Sequence, residues 1–137
     1  MKKNQKEIIN YLIFGILTTI INLITYYILV FTILNSNNQI ELQIANIIAW
    51  ITSVSFAYIT NKKYVFNSTN NKTIKEIISF YLSRLSTLIL DMLLMFIFVS
   101  YLNFNDKIIK IIVATIIIIL NYIISKFLVF KKPINQL

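Results

Sequence analysis

The chain has 137 residues, of which 58% are hydrophobic and 13% charged, and its formal net charge is +8. It contains no Cys and no His, which excludes disulfides, Cys/His metal sites and imidazole catalysis. No charged residue occurs between residues 8 and 40, a length that a membrane span with a short loop explains better than a soluble core helix. The basic residues flank apolar runs, as membrane topology requires, so we expect no nucleic-acid partner. We also expect no cofactor.

Four apolar runs follow one another, and each predicts a transmembrane helix because lipid cannot hydrogen-bond a free backbone. The first run, residues 8–34, is longer than the apolar part of a signal peptide, roughly 7–15 residues, and no small-residue cleavage motif closes it. We therefore expect a retained helix. The other predicted spans are residues 42–60, 77–102 and 108–130, and Pro133 prevents further helix after the last.

The lysines predict the orientation of these spans. With four spans, both termini and the central loop lie on one side, and that side carries most of the lysines: Lys2, Lys3, Lys6, Lys62, Lys63, Lys72, Lys75, Lys131 and Lys132. The opposite side carries Lys107 and Lys110. The positive-inside rule therefore places both termini in the cytoplasm.

The sequence also repeats itself once. The motif Lys-Glu-Ile-Ile occurs at residues 6–9 and again 69 positions later at residues 75–78, while residues 58–66 resemble residues 122–130 at an offset of 64. A repeat of this length indicates a duplicated structural unit. We expect an all-α membrane protein with one domain over residues 1–137, built from two parallel helical hairpins at residues 6–66 and 75–130.

Arg84 and Asp91 are the most costly residues in the predicted spans. At about 1.5 Å per residue they lie about 10 Å and 20 Å along the helix from Ile77, and an ionised carboxylate near the membrane centre costs about 2.5–3.5 kcal/mol. Asp91 should therefore face protein or water, pair with a cation, or be protonated. A functional role is our preferred interpretation, and a structural ion pair between helices is the alternative.

Polar residues recur at matching positions in the first helix of each hairpin. At the offset of 69, Arg84, Thr87 and Asp91 correspond to Gly15, Thr18 and Asn22. Thr18, Asn22 and Thr87 fit interhelical hydrogen bonds as well as a polar path. The amides of Asn46 and Asn121 leave the same choice open, and so does Trp50 between packing and lining a cavity. A stripe of small residues in the second span predicts close helix packing, at Ala45, Ala49, Ser53 and Ala57.

Lys62 and Lys126 are repeated cations near the cytoplasmic ends of the second and fourth spans. If the fold brings them together with Arg84, the three cations form a site for an anionic lipid head group. Simple anchoring of the helix ends at the membrane surface is the alternative interpretation.

The ends of the two halves carry a family resemblance. Asn61-Lys62-Lys63-Tyr64-Val65-Phe66 and Ser125-Lys126-Phe127-Leu128-Val129-Phe130, with Tyr11-Leu12-Ile13-Phe14-Gly15 and Thr18-Thr19 early in the first span, resemble the GtrA-like family over nearly the whole chain. Ser125 departs from the expected amide. Asn22 stands where many relatives have an acid, so Asp91 alone would carry any role of that acid.

The resemblance implies transfer of polyprenyl-phosphate-linked sugars across the bacterial cytoplasmic membrane, for O-antigen, teichoic acid or another envelope polysaccharide. The expected partners are this lipid-linked sugar and membrane lipid, with a glycosyltransferase or a second copy of the chain as further candidates. We expect the lipid phosphate to be bound by Asn61, Lys62, Arg84 and Lys126. We expect the head group to pass along Thr18, Asn22, Thr87, Asp91 and Asn121.

Two other functions fit the sequence. One is a small proton-coupled multidrug exporter, in which Asp91 binds a proton or a cationic drug. The other is a membrane subunit that transports nothing and scaffolds a glycosyltransferase. An enzyme is the least favoured class, because one intramembrane acid without His or Cys forms no visible catalytic constellation.

Overall fold

A computed structural model describes residues 2–35, 37–69 and 73–130, and every regular element in this part of the chain is a helix. Lys72, Lys131, Lys132 and Pro133, which entered the topology predictions, lie outside the described residues. The elements in chain order are α1 (Lys3–Thr32), α2 (Gln39–Thr60), π1 (Asn61–Val65), α3 (Thr73–Met95), π2 (Phe96–Tyr101), α4 (Asp106–Ile124) and π3 (Ser125–Val129), where π denotes a π-helical segment.

In the described ranges, four continuous helical segments are long and apolar enough to cross a membrane, which confirms the predicted all-α fold with four spans. They are Lys3–Thr32, Gln39–Val65, Thr73–Tyr101 and Asp106–Val129. Many of their large apolar side chains are exposed, for example Ile16, Phe31 and Met92. Lipid chains are as apolar as these side chains, so such a surface is expected of a membrane helix.

The helices begin earlier than the apolar runs that predicted them. α1 begins at Lys3 and α3 at Thr73, whereas the apolar runs begin at residues 8 and 77. The apolar run marks what can lie in lipid, but helical hydrogen bonding continues through polar residues outside it. The helix start at Lys3 shows this, because the backbone N–H groups of Gln5 and Lys6 donate to the Lys2 carbonyl.

Asparagine caps the second helix of each hairpin. The Asn38 side chain accepts from the Ile40 N–H at 3.0 Å, and the Asn105 side chain accepts from Lys107 at 2.9 Å and Ile108 at 3.3 Å. An N-cap of this kind contributes about 1 kcal/mol to helix stability. The polar segments that join the two helices of each hairpin therefore also carry helix start signals.

The chain divides into two compact units, Met1–Asn67 and Ser68–Leu137, and each contains one hairpin. In the first unit α1 packs on α2 and π1, and in the second α3 packs on α4 and π3. The small-residue stripe of α2 is buried, in agreement with its predicted packing role: Ala45, Ala49, Ser53 and Ala57.

Candidate functional site

In both units the second helix of the hairpin ends in a π-helical turn. The Phe66 N–H donates to the Asn61 carbonyl, and the Phe130 N–H donates to the Ser125 carbonyl, both at 2.8 Å. Such a turn aligns residues five apart on one face, and all four of these residues are buried. π-Helical turns are rare and occur frequently at functional sites.

A buried pair of aromatic rings fixes each of these turns on the first helix of its hairpin. The Tyr11 and Phe66 ring centroids lie 6.4 Å apart at 53°, and those of Phe80 and Phe130 lie 5.8 Å apart at 51°. Tyr11 and Phe80 are equivalent at the offset of 69, and Phe66 and Phe130 at the offset of 64. Aromatic pairs contribute about 0.5–1.5 kcal/mol beyond their buried area.

The repeated lysines occupy the same position in these turns. Lys62 Nζ lies 3.4 Å from the Tyr58 hydroxyl and 5.8 Å from its ring centroid, and Lys126 Nζ lies 3.3 Å and 5.6 Å from the same groups of Tyr122. Each of these contacts orients the ammonium against the tyrosine ring. A half-buried cation held in this way is suited to an anionic ligand at the membrane surface.

Lys63, the neighbour of Lys62, is placed differently. Its side chain is exposed, and its Nζ lies 5.3 Å from the ring centroid of Tyr64. The Tyr64 ring in turn stacks on Phe14 at 5.4 Å. This arrangement is that of a surface lysine at the membrane interface, and it makes Lys63 a matched control for Lys62.

Arg84 adds a cation to the second unit alone. Its guanidinium carbon lies 4.8 Å from the Phe80 ring centroid, and Phe80 also contacts Phe130. The equivalent residue of the first unit is Gly15, where an added Cβ meets nothing within 4 Å, so space does not require glycine there. Asn61 and Lys62 belong to the first unit and Arg84 and Lys126 to the second. Their convergence on one phosphate stays a prediction.

The residues predicted to form a head-group path make contacts within their own units. The Thr87 hydroxyl donates to Asn121 Oδ1 at 2.8 Å, linking α3 to α4, and the Asn22 amide donates to Ser53 Oγ at 3.2 Å, linking α1 to α2. Thr18 donates to the Phe14 carbonyl of its own helix at 2.7 Å. The Thr87 and Asn22 bonds supply the interhelical contacts that the packing interpretation requires, whereas the Thr18 bond stays within α1. A role in a path stays a prediction for all of these residues.

Asp91, the fifth predicted path residue, forms an ion pair. Its two carboxylate oxygens lie 3.0 and 3.2 Å from Lys110 Nζ on α4. From its position in the sequence, Lys110 was expected only at the membrane face opposite Lys62 and Lys126, and its pairing with Asp91 was not predicted. The pair links α3 to α4 closer to the loop between them than the Thr87–Asn121 bond does.

Two buried carboxylates and two tyrosines were not predicted as functional residues from the sequence. Glu7 is 9% exposed and Glu76 2% exposed, and Glu76 accepts from the Ser68 hydroxyl at 3.0 Å. Both acids lie in the repeated Lys-Glu-Ile-Ile motif, and Tyr58 and Tyr122 lie in the repeated endings. Repetition of a polar residue was therefore the sequence signal that could have identified them. Among the described residues no group of three or more His, Cys, Asp or Glu side chains is placed to hold a metal ion.

Within the described residues, four apolar helices arranged as two hairpins define a small multi-pass membrane protein. Residues 10–130 match the family described as GtrA/DPMS, transmembrane domain, and the chain belongs to this family. This confirms the resemblance seen in the repeated endings.

Similar proteins include the "Uncharacterized membrane protein YwcD" of Bacillus subtilis, which is 42% identical over 89% of this chain and 94% of its own length. The "Cell wall teichoic acid glycosylation protein GtcA" of Listeria innocua is 43% identical over 93% of this chain and 87% of its own. The protein of the same name from Listeria monocytogenes serovar 1/2a is 40% identical over 91% and 85%. No solved structure gives a significant match.

Proposed function

We propose that this protein moves a polyprenyl-phosphate-linked sugar across the bacterial cytoplasmic membrane, for glycosylation of a cell-wall polymer such as teichoic acid. The names of the two Listeria relatives support the process, since both are called cell wall teichoic acid glycosylation proteins. The observation that carries the transport step is the repeated lysine–tyrosine pair at one end of each hairpin.

The charged phosphate is the part of such a lipid that needs binding groups from the protein within the membrane. Charge-assisted hydrogen bonds from lysine are strong in a poorly hydrated site, and Lys62 and Lys126 would supply them, with Arg84 and the Asn61 amide completing the site. The sugar would then pass the polar side chains between the helices, Thr18, Asn22, Thr87, Asp91 and Asn121. The prenyl chain stays in lipid beside the helices and needs no path through the protein.

The proposal places both termini in the cytoplasm. The lysine-rich ends of the hairpins then face the side on which lipid-linked sugars are made available, and the loops at residues 35–38 and 102–105 face the outside. Four helices make a narrow path, so a homodimer or a complex with a glycosyltransferase is part of the proposal.

The ion pair of Asp91 weighs against the proton-coupled exporter. In such an exporter the carboxylate must take up a proton or a cationic drug, whereas here the Lys110 ammonium already lies 3.0 Å from it. A scaffold that transports nothing is the remaining alternative, and it predicts no transfer by the purified protein.

The test is transfer of a fluorescent decaprenyl-phosphate sugar in liposomes that contain the purified full chain. We expect wild-type protein to equilibrate the lipid between leaflets, and Lys62→Gln and Lys126→Gln each to slow transfer about 10-fold or more, because a hydrogen bond to a charged group contributes about 1.5–3 kcal/mol. Lys63→Gln, the control on the same turn, should transfer at nearly the wild-type rate.

The outcomes separate the candidate functions. No transfer by wild-type protein contradicts autonomous transport and favours the scaffold. Transfer that is unaffected by Lys62→Gln and Lys126→Gln contradicts the phosphate site. Proton-coupled drug efflux that Asp91→Asn abolishes would favour the exporter.

A further inference from the structure

The Asp91–Lys110 pair is a second place where the helices carry full charges. It lies between α3 and α4, and the carboxylate side chain is 22% exposed while the lysine side chain is 54% exposed. Either charge alone in a span costs about 2.5–3.5 kcal/mol at the membrane centre. The attraction between the two charges offsets part of this free-energy cost. Two membrane helices with neutral side chains at these positions would not incur the cost at all.

The first copy shows that the hairpin does not require these charges. At the offsets of 69 and 64, Asp91 corresponds to Asn22 and Lys110 to Asn46. Both partners of the ion pair are thus neutral amides in the first copy, where Asn22 bonds to Ser53 of α2. The first hairpin, which lacks the π-helical segment Phe96–Tyr101, thus forms without the pair, and this leaves the two charges open to a role beyond packing.

Lys110 also extends in an unusual direction. Its Cα lies four residues, or about 6 Å, from the loop end of α4 at Asp106, whereas Asp91 lies ten residues, or about 15 Å, from the loop end of π2 at Tyr101. Lysines near the end of a membrane helix normally extend outward to the interface. The bond to Asp91 draws the Lys110 ammonium toward the membrane interior instead.

We propose that Lys110 is a phosphate-binding residue at the loop end of the second hairpin, with Asp91 as its resident counter-ion. The inference rests on the proposed function: it adds a release point at the face opposite Lys62 and Lys126. The ligand is the phosphate of a membrane lipid. An ammonium has three donors, so Lys110 can bind phosphate oxygens while it keeps a bond to Asp91.

Asp91 makes this site a weak one. Its negative charge repels the phosphate, so the lipid binds Lys110 only transiently before it is released. Sites along a transport path need this balance, since a ligand that binds too tightly is not released. Removal of the Asp91 charge should therefore tighten phosphate binding and slow release.

The experiment is direct binding of decaprenyl phosphate to the full chain in nanodiscs of neutral lipid, followed by native mass spectrometry. Decaprenol, which lacks the phosphate, controls for binding of the prenyl chain. Phosphatidylglycerol and inorganic phosphate as competitors distinguish a polyprenyl phosphate from other phosphate sources. The series is repeated with Lys62→Gln and Lys126→Gln, so that the remaining phosphate binding reports the loop end.

We expect Asp91→Asn to raise the affinity for decaprenyl phosphate about 10-fold, which corresponds to about 1.4 kcal/mol. The double change Asp91→Asn with Lys110→Asn places in the second copy the residues that the first copy has. It should fold and insert, and the gain in affinity should disappear. Equal affinity in wild-type, Asp91→Asn and double-variant protein would overturn the proposal, and so would a gain that persists without Lys110.

This readout is independent of transport. If wild-type protein moves no lipid but Asp91→Asn tightens phosphate binding through Lys110, the proposed transport fails and the phosphate site at Lys110 stands. If wild-type protein transports the lipid and the Asp91 and Lys110 variants bind and transfer it equally, transport stands and this site is wrong.

Discussion

The two halves of the chain share a frame and differ in their charges. Each half ends in a π-helical turn closed by a 2.8 Å hydrogen bond, in a buried aromatic pair, and in a lysine against a tyrosine hydroxyl at 3.3–3.4 Å. Only the second half adds Arg84 and the pair of Asp91 with Lys110. The first half has Gly15, Asn22 and Asn46 at those positions.

The comparison separates what builds the hairpin from what uses it. Features present in both copies are sufficient for the frame, since the first copy forms it with amides and a glycine. Features present in only one copy are then candidates for ligand binding or transport. The repeated lysines belong to both groups, because they lie in the shared turn and carry the charge that an anionic ligand needs. The variants below test whether the two copies are equivalent.

Loss of a buried ring should be the largest effect on stability. Phe130→Ala and Phe66→Ala each remove an aromatic side chain that is 2–3% exposed, and each should lower the free energy of unfolding by about 3 kcal/mol. Thermal unfolding in detergent measures this. Phe127→Ala is the control, because that ring is 60% exposed and its loss should cost little. A large effect at only one of the two positions would break the equivalence of the copies.

The buried carboxylates should come next. Glu76→Gln keeps the shape of the side chain but removes its charge and one of its two acceptor oxygens, and it should cost about 1–3 kcal/mol in the same unfolding measurement. Glu7→Gln tests the first copy, and Lys75→Gln changes a charge at an exposed neighbouring position. If Glu76→Gln is as stable as wild-type protein, the buried acid does not hold the hairpin.

The smallest expected effect is at the interhelical hydrogen bonds. Thr87→Val removes the donor to Asn121, and such bonds in membrane proteins contribute about 0.6 kcal/mol on average. A double-mutant cycle with Asn121→Leu gives the coupling energy directly. Asn22→Leu with Ser53→Ala is the matched cycle in the first copy. A coupling energy near zero in one cycle and above 1 kcal/mol in the other would show that the copies differ in packing as well as charge.

The sequence predicted the fold well because the fold depends on long-range composition. Four apolar runs, a repeat and the lysine distribution do not depend on side-chain geometry, and the structure confirms four helical spans. The helix starts at Lys3 and Thr73 were not predicted, because hydropathy marks the lipid boundary and not the end of hydrogen bonding.

The candidate site was predictable only in part. The repeat singled out Lys62 and Lys126. Their contacts with Tyr58 and Tyr122 depend on a π-helical turn, which no pattern in the sequence predicted. The pairing of Asp91 with Lys110 depends on the register of α3 against α4. Nineteen residues separate the two, and only the packed hairpin sets which lysine the carboxylate meets.

The most direct test of the account compares three proteins in the liposome transfer assay: wild type, Lys62→Gln with Lys126→Gln, and Lys62→Arg with Lys126→Arg. The account predicts that the glutamine pair reduces transfer to the rate of protein-free liposomes, while the arginine pair, which keeps both charges, retains transfer within about 10-fold of wild type. Transfer by the glutamine pair at the wild-type rate would contradict the claim that the repeated lysines bind the phosphate.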